Sequence, residues 1–242
     1  MNKLKLYVDR KSQPARALII FCRLNGIDFE EITVDFIKRQ THSPDFIEIN
    51  PMKQVPAIVH GGLKLFESNA ILRYLACAFP GVPDHWYPAD LSRRAKIDSV
   101  LDWHHLNLRR GATTYVQSTV LGPVLGRTNP QKASESEKIV AESLSSIETF
   151  WLKGNEKFLL GNSQPSIADL NLVSEIMQLE VLTEKDINKF LGPYRKVLQW
   201  VEDLRNATNP HFDEAHKDIL GVKEKYHGLA ESTIRGMLPS QM

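Results

Sequence analysis

Ser12 stands between an alternating segment, Lys3-Leu4-Lys5-Leu6-Tyr7-Val8, and a helical pattern led by Pro14. A hydroxyl there can donate to an anion that the helix N-terminus also favours, or it can cap that helix. Tyr7, near the end of the same segment, is a rival donor or simply a packing residue. Val55-Pro56 precedes a second extended segment, and a cis bond there would turn the Val55 carbonyl and N–H toward a ligand. Glu67 and Ser68 open a third helical pattern, with Ser68 placed as an N-cap. Together they can also hold a zwitterion, its carboxylate on the free N–H groups and its ammonium on Glu67. His104 and His105 are adjacent, so on a helix they point about 100° apart and do not chelate one metal as an i, i+4 pair would. They read as a partly buried histidine and its solvated neighbour. Arg109 and Arg110 end a run on the same helix, as a solvated face or an anion site. The sequence contains no Walker loop, GxGxxG, GxSxG or HExxH pattern.

These residues need a scaffold. Residues 3–8 alternate like a half-buried strand. Ala15, Leu18, Ile19 and Cys22 recur at helical spacing, and Gly26 supplies a stop. Residues 29–34 form a second strand pattern and 43–49 a short helix. Residues 55–59 and 63–66 flank Gly61-Gly62, a tight hairpin turn, and a helix follows over 68–79. The order βαβαββα predicts a small α/β unit with a mixed sheet. Pro80-Gly81-Val82-Pro83 breaks the pattern. Thereafter the patterns are helical, roughly over 91–117, 133–153, 168–179, 189–206 and 212–225, which predicts an all-α bundle. The expected division is 1–80, a linker over 81–90, and 91–242. Ser166-Ile167-Ala168-Asp169 is a capping box, in which loss of Asp169 is expected to cost on the order of 1 kcal/mol.

The chain has 242 residues, 42% hydrophobic and 24% charged, with formal net charge +1. That mixture excludes disordered and fibrous classes, and it lacks the positive excess used in nucleic-acid binding. No apolar run approaches the ~18 residues of a membrane span, and the first residues give no apolar leader. The two cysteines, Cys22 and Cys77, are far apart in apolar stretches and are expected to be buried thiols, with neither a disulfide framework nor a metal site.

Three segments carry most of a resemblance that covers nearly the whole chain: Ser12-Gln13-Pro14-Ala15-Arg16-Ala17, Asn50-Pro51-Met52-Lys53-Gln54-Val55-Pro56-Ala57 and Phe66-Glu67-Ser68-Asn69-Ala70-Ile71. Asp84 to Pro88, Leu101 to Gly111 and Ser166 to Leu170 extend it. In this order and spacing they resemble the glutathione transferases, theta class, in the plant form. The resemblance implies a thioredoxin-like first domain, a helical second domain contributing the electrophile pocket, and a homodimer. It implies an enzyme that conjugates glutathione to small electrophiles and reduces organic hydroperoxides, with glutathione as substrate and no cofactor or metal.

In that family the serine after the first strand donates to the sulfur of glutathione, which here is Ser12. Lowering a thiol pKa near 8.5 by ~2 units takes about 2.7 kcal/mol. A hydroxyl donor to a charged acceptor supplies ~1.5–3 kcal/mol, and a helix terminus somewhat less than 1. The other implied glutathione contacts are Gln13, Thr41, His42, Gln54, Val55, Glu67 and Ser68. Val55 would hold the cysteinyl backbone, Glu67 and Ser68 the γ-glutamyl end, and Thr41 and His42 the glycyl carboxylate. Gln54 stands where a lysine is also familiar. Arg109 and Arg110 would border the electrophile pocket. A cytoplasmic location is expected, because Ser240-Gln241-Met242 lacks the basic middle residue of a peroxisomal signal. The alternative is a non-catalytic protein that binds glutathione or hydrophobic ligands and has no use for Ser12.

Overall fold

A computed structural model describes residues 3–124, 126–219 and 221. Strand β1 (Leu4–Val8) buries Leu4, Leu6 and Val8 and leaves Lys5 outside, as its alternation dictates. Helix α1 (Gln13–Leu24) runs through the core and stops at Gly26, whose φ of 61° is one that glycine adopts freely. Strand β2 (Phe29–Thr33) lies parallel to β1. The short α2 (Pro44–Ile47) starts at Ser43, whose hydroxyl accepts from the Phe46 N–H at 3.3 Å. Strands β3 (Ala57–His60) and β4 (Leu63–Phe66) form an antiparallel hairpin through Gly61 and Gly62, with φ of 58° and 93°. Helix α3 (Ser68–Ala78) closes the unit. The strand order is β2-β1-β3-β4, with β3 antiparallel to β1. This is the expected thioredoxin-like arrangement.

The helical half begins with one long rod. Helix α4 (Leu91–His104) passes through a π-helical turn (His105–Arg109) into α5 (Arg110–Val116). A second π turn (Gln117–Leu121) leads to α6 (Gly122–Val124). Helix α7 (Pro130–Ser146) ends in a third such turn, and α8 (Ile167–Ile176) is buried along its whole length. The helix expected over 189–206 is instead two, α9 (Glu184–Leu191) and α10 (Arg195–Thr208). Pro193 lacks the N–H and the steric room to continue the first of them. Helix α11 covers 211–219; most of the rest of the segment expected to extend it to 225, and the terminal Ser240-Gln241-Met242, lie outside the described residues. Among the described residues no helix is long and apolar enough to cross a membrane.

One hydrophobic cluster joins the two halves, from Leu6 and Phe21 to Leu172 and Trp200. Arg16 of α1 also crosses between them, fully buried. Its guanidinium donates to the carbonyls of Arg10 and Lys11 at 3.1 Å, to the Ser174 carbonyl at 3.0 Å, and to Gln178 Oε1 at 3.1 Å. Burial lowers its pKa to about 10. Cys22 is buried, which pushes its thiol up to about 12, whereas Cys77 is exposed, contrary to expectation. Cys77 lies on the outward side of α3, where the apolar pattern of its neighbours does not reach it.

Asp169 is more than a capping partner. Its Oδ2 accepts from the Ser166 N–H at 2.7 Å, as the box requires, and from the Ser166 hydroxyl at 2.8 Å. Its Oδ1 accepts from the Leu159 N–H and from Trp200 Nε1, both at 2.9 Å. Burial still pushes this carboxyl above its ordinary range against those four donors.

Candidate active site

Two adjoining clefts lie between the halves. The larger, about 370 Å³, takes Lys11, Ser12 and Gln13 from the β1–α1 junction and Lys53, Gln54 and Val55 from the approach to β3. Phe36 and Thr41 reach it from the loop after β2. The helical half contributes Arg109, Thr113, Val116, Gln117 and Leu121 from the long rod, and Gln178 from beyond α8. The smaller, about 120 Å³, lies between the Val55-Pro56 step, Glu67 and Ser68 on one side and His105 and Arg109 on the other. Gln54, Val55 and Arg109 border both.

Ser12 precedes α1 with extended backbone, φ −80° and ψ 125°. Its N–H donates to the Asp9 carbonyl at 2.8 Å. Its hydroxyl makes no capping bond and has no side-chain partner among the described residues. The second helical residue is Pro14, so one of the two N–H groups a cap would use is missing. The hydroxyl is therefore left for whatever enters the cleft. Tyr7 turns elsewhere, its ring edge-on to Phe46 at 6.3 Å between centroids. It lines neither cleft.

Around Val55 the chain is pinned from within. Buried Asn50 donates to the Gln54 carbonyl at 2.7 Å and accepts from the Met52 N–H at 2.9 Å. The Val55-Pro56 bond is cis. At the smaller cleft, Glu67 is the residue that caps α3, with φ 68° and ψ 107°, and Ser68 is the first helical residue. The expected cap has thus moved back by one position. A non-glycine residue held at positive φ beside a cleft is the kind of backbone strain that clusters at functional sites.

Arg109 and Arg110, paired in the sequence, part company in space. Arg109 borders both clefts and donates from Nη1 to Glu175 Oε1 at 2.6 Å. Arg110 is exposed and lines neither, because adjacent residues on a helix diverge. Thr41 is buried on the larger cleft, while its exposed neighbour His42 lines neither. Gln13 lines the cleft with its Nε2 committed to Thr113 Oγ1 at 3.3 Å. His104 is fully buried and His105 half-buried, so neither is the solvated residue that the sequence suggested. Burial lowers the His105 pKa, and the neighbouring Arg109 charge acts in the same direction. Glu175 is fully buried; burial alone would raise its carboxyl, but Arg109 and His104 hold it below the ordinary value.

Comparison with known proteins agrees with this architecture. Residues 2–77 match the glutathione S-transferase N-terminal domain. The chain is 61% identical over 227 residues to glutathione S-transferase T1 of Arabidopsis thaliana, covering 93% of each. The chain belongs to the theta class of the glutathione S-transferase family. Another Arabidopsis member, T2, is 60% identical over 225 residues, 93% of this chain, and the chain spans 38% of its length. Human glutathione transferase theta-2, solved in complex with glutathione and an unknown ligand, superposes with a TM-score of 0.84 at 32% identity. That match covers 98% of this chain and 93% of the human one.

For a theta-class chain, several lining residues carried no flag in the sequence. Lys11 and Lys53 add positive charge to the cleft, and Glu67 is the one acid among its described lining residues. Lys11 is 3.5 Å from Asp9 Oδ1. Thr113, Gln117 and Leu121 follow Arg109 at intervals of four, a spacing that marks one helical face once Arg109 is placed on the cleft. Gln178 and Glu175 lie about 70 residues beyond Arg109 and had no local signal at all.

Proposed function

We propose that this transferase binds glutathione along both clefts, stabilises its thiolate with the Ser12 hydroxyl, and uses it on small electrophiles and organic hydroperoxides. The observation that carries the reading is the Ser12 hydroxyl, uncommitted in the cleft at the start of α1. A non-catalytic carrier gives no reason for a hydroxyl left without a partner there. In this reading Val55 holds the cysteinyl backbone, and Glu67 and Ser68 hold the γ-glutamyl end. Lys53 supplies, one residue earlier, the charge that Gln54 lacks opposite the glycyl carboxylate, close to Thr41. The direct test is thiolate absorbance near 240 nm on adding glutathione at neutral pH. The band should appear with the wild type and fail to appear with Ser12→Ala if the serine assignment is right.

Hydroperoxide reduction fits the cleft's chemistry. The thiolate attacks the terminal oxygen of the hydroperoxide, the O–O bond breaks, and the sulfur is oxidised to a sulfenic acid while an alkoxide departs and takes a proton from solvent. A second glutathione thiol then displaces water from the sulfenic acid to give the disulfide. Arg109, cationic and partly exposed at the cleft, can stabilise the departing oxyanion. Aryl substitution needs a flat wall for an anionic ring adduct; Phe36 is the one aromatic among the described residues of the larger cleft, and the wall around Arg109 presents Thr113, Gln117 and Gln178 beside Val116 and Leu121. Cumene hydroperoxide should therefore be reduced clearly faster than 1-chloro-2,4-dinitrobenzene is conjugated. Arg109→Gln should depress the peroxidase rate with glutathione affinity nearly unchanged, and Arg110→Ala should do neither. A faster aryl chloride reaction, or indifference to Arg109, contradicts this account of the pocket.

The γ-glutamyl anchor is separable from the sulfur chemistry. Glu67→Ala removes one charge-assisted partner of an ammonium, so glutathione affinity should fall about tenfold while the bound thiol's pKa moves little. Calorimetry returning wild-type affinity would remove Glu67 from the site.

A further inference from the structure

A chain of hydrogen bonds runs behind the clefts from one end of the first π turn to the other. Asn69, the residue after Ser68, spends both amide hydrogens, one on the Leu101 carbonyl at 2.9 Å and one toward His105 Nε2 at 3.0 Å. Its Oδ1 accepts from Asn171 Nδ2 at 2.6 Å. The other Asn171 hydrogen faces His104 Nδ1 at 3.3 Å. With Nδ1 accepting, His104 carries its proton on Nε2 and donates to Glu175 Oε1 at 3.3 Å. The same oxygen takes Arg109 Nη1 at 2.6 Å. Asn69, Asn171, His104 and Glu175 are all buried; of the chain's two ends, His105 lines the smaller cleft and Arg109 lines both. Donation diverges from Asn171, whose amide hydrogens go to Asn69 on one side and His104 on the other, and from His104 onward it runs to Glu175.

Glu175 is the acceptor on which His104 and Arg109 meet, and it lines neither cleft. Its second oxygen, Oε2, is buried without a partner among the described residues, as is Asn171 Oδ1. A carboxylate kept under those conditions costs more than a neutral side chain of the same shape, so it calls for a reason beyond packing. The reason available here is Arg109. Its long side chain, a third exposed, is fixed at the guanidinium by that one short contact.

We infer that Glu175 is a positioning residue, which holds the Arg109 guanidinium at the point where the leaving oxygen becomes an anion. The inference rests on the proposed role of Arg109 and deepens it. Transition-state donors act at full strength only when oriented beforehand, so loosening the anchor should lower turnover without touching glutathione binding.

The test is a double-mutant cycle with cumene hydroperoxide and glutathione, on wild type, Glu175→Gln, Arg109→Gln and the double variant. The double variant has no unpaired buried charge, so it remains measurable if Arg109→Gln alone folds poorly. Glu175→Gln should lower kcat about tenfold with the KM for glutathione within twofold of wild type. The double variant should be no slower than Arg109→Gln, or no more than about twofold below Glu175→Gln where the single arginine variant is not folded. Multiplying effects, or a rise in glutathione KM in place of the kcat loss, would assign Glu175 a merely structural part and overturn the inference. A full rate in Glu175→Gln with a depressed rate in Arg109→Gln also overturns it, while sparing Arg109. Indifference to both substitutions removes Arg109 from the mechanism and the inference with it.

Discussion

Ser12→Ala is expected to lower kcat/KM for glutathione-dependent reactions by roughly 10–100-fold, since each 1.4 kcal/mol of lost stabilisation is tenfold. The variant should melt within a degree or two of wild type. Alanine at an N-cap ordinarily costs about 1 kcal/mol, but that figure reflects loss of a capping bond. The Ser12 hydroxyl makes no such bond, so the helix loses nothing by its removal. Steady-state kinetics with glutathione varied, beside a thermal melt of the same preparation, separate the two effects. Full activity in a folded Ser12→Ala variant would return the donor's role to another group. Tyr7, packed on Phe46, is not placed to take it without a large movement.

Asp169→Ala is expected to be the most damaging single substitution for stability. It leaves four buried donors without an acceptor: the Ser166 and Leu159 N–H groups, the Ser166 hydroxyl and Trp200 Nε1. Each unsatisfied group costs about 1–3 kcal/mol, partly offset because the buried charge itself disappears. A net loss of about 4 kcal/mol is a large share of the 5–15 kcal/mol by which domains are stable. Asp169→Asn keeps the shape and part of the acceptor capacity, and should lose about half as much. Urea unfolding monitored by tryptophan emission gives both numbers; a loss near 1 kcal/mol for alanine would show that the carboxylate serves as a cap and nothing more.

That contrast shows where reading the sequence stops. The capping box is legible in Ser166 and Asp169 because its two partners are three residues apart. The reach of the same carboxylate to Leu159 and Trp200 depends on how α10 and the loop before α8 pack, which no local pattern records. The parallel βαβ half and the antiparallel closing hairpin follow from the element order and the Gly61-Gly62 turn, whereas the strand order β2-β1-β3-β4 does not, and the resemblance supplied most of the glutathione side of the cleft. Position on a helix then decided what sequence adjacency could not: Arg109 faces inward and Arg110 outward, and Thr41 lines the cleft while His42 does not. Glu175 reads as one more polar residue in an apolar helix until Arg109 and His104 are seen beside it.

Arg16 carries a consequence for how such chains can be recombined. Its guanidinium belongs to the α/β half, yet two of its acceptors, the Ser174 carbonyl and Gln178, belong to the helical half. The surrounding apolar cluster likewise has no seam. The two halves are therefore not interchangeable parts. A chimera that took its first half from a relative without this arginine would leave a buried carbonyl and amide unanswered. One that took its second half from elsewhere would bury a cation with too few acceptors. Because Gln178 also lines the cleft, the fault would surface in the pocket as well as in the yield of folded protein.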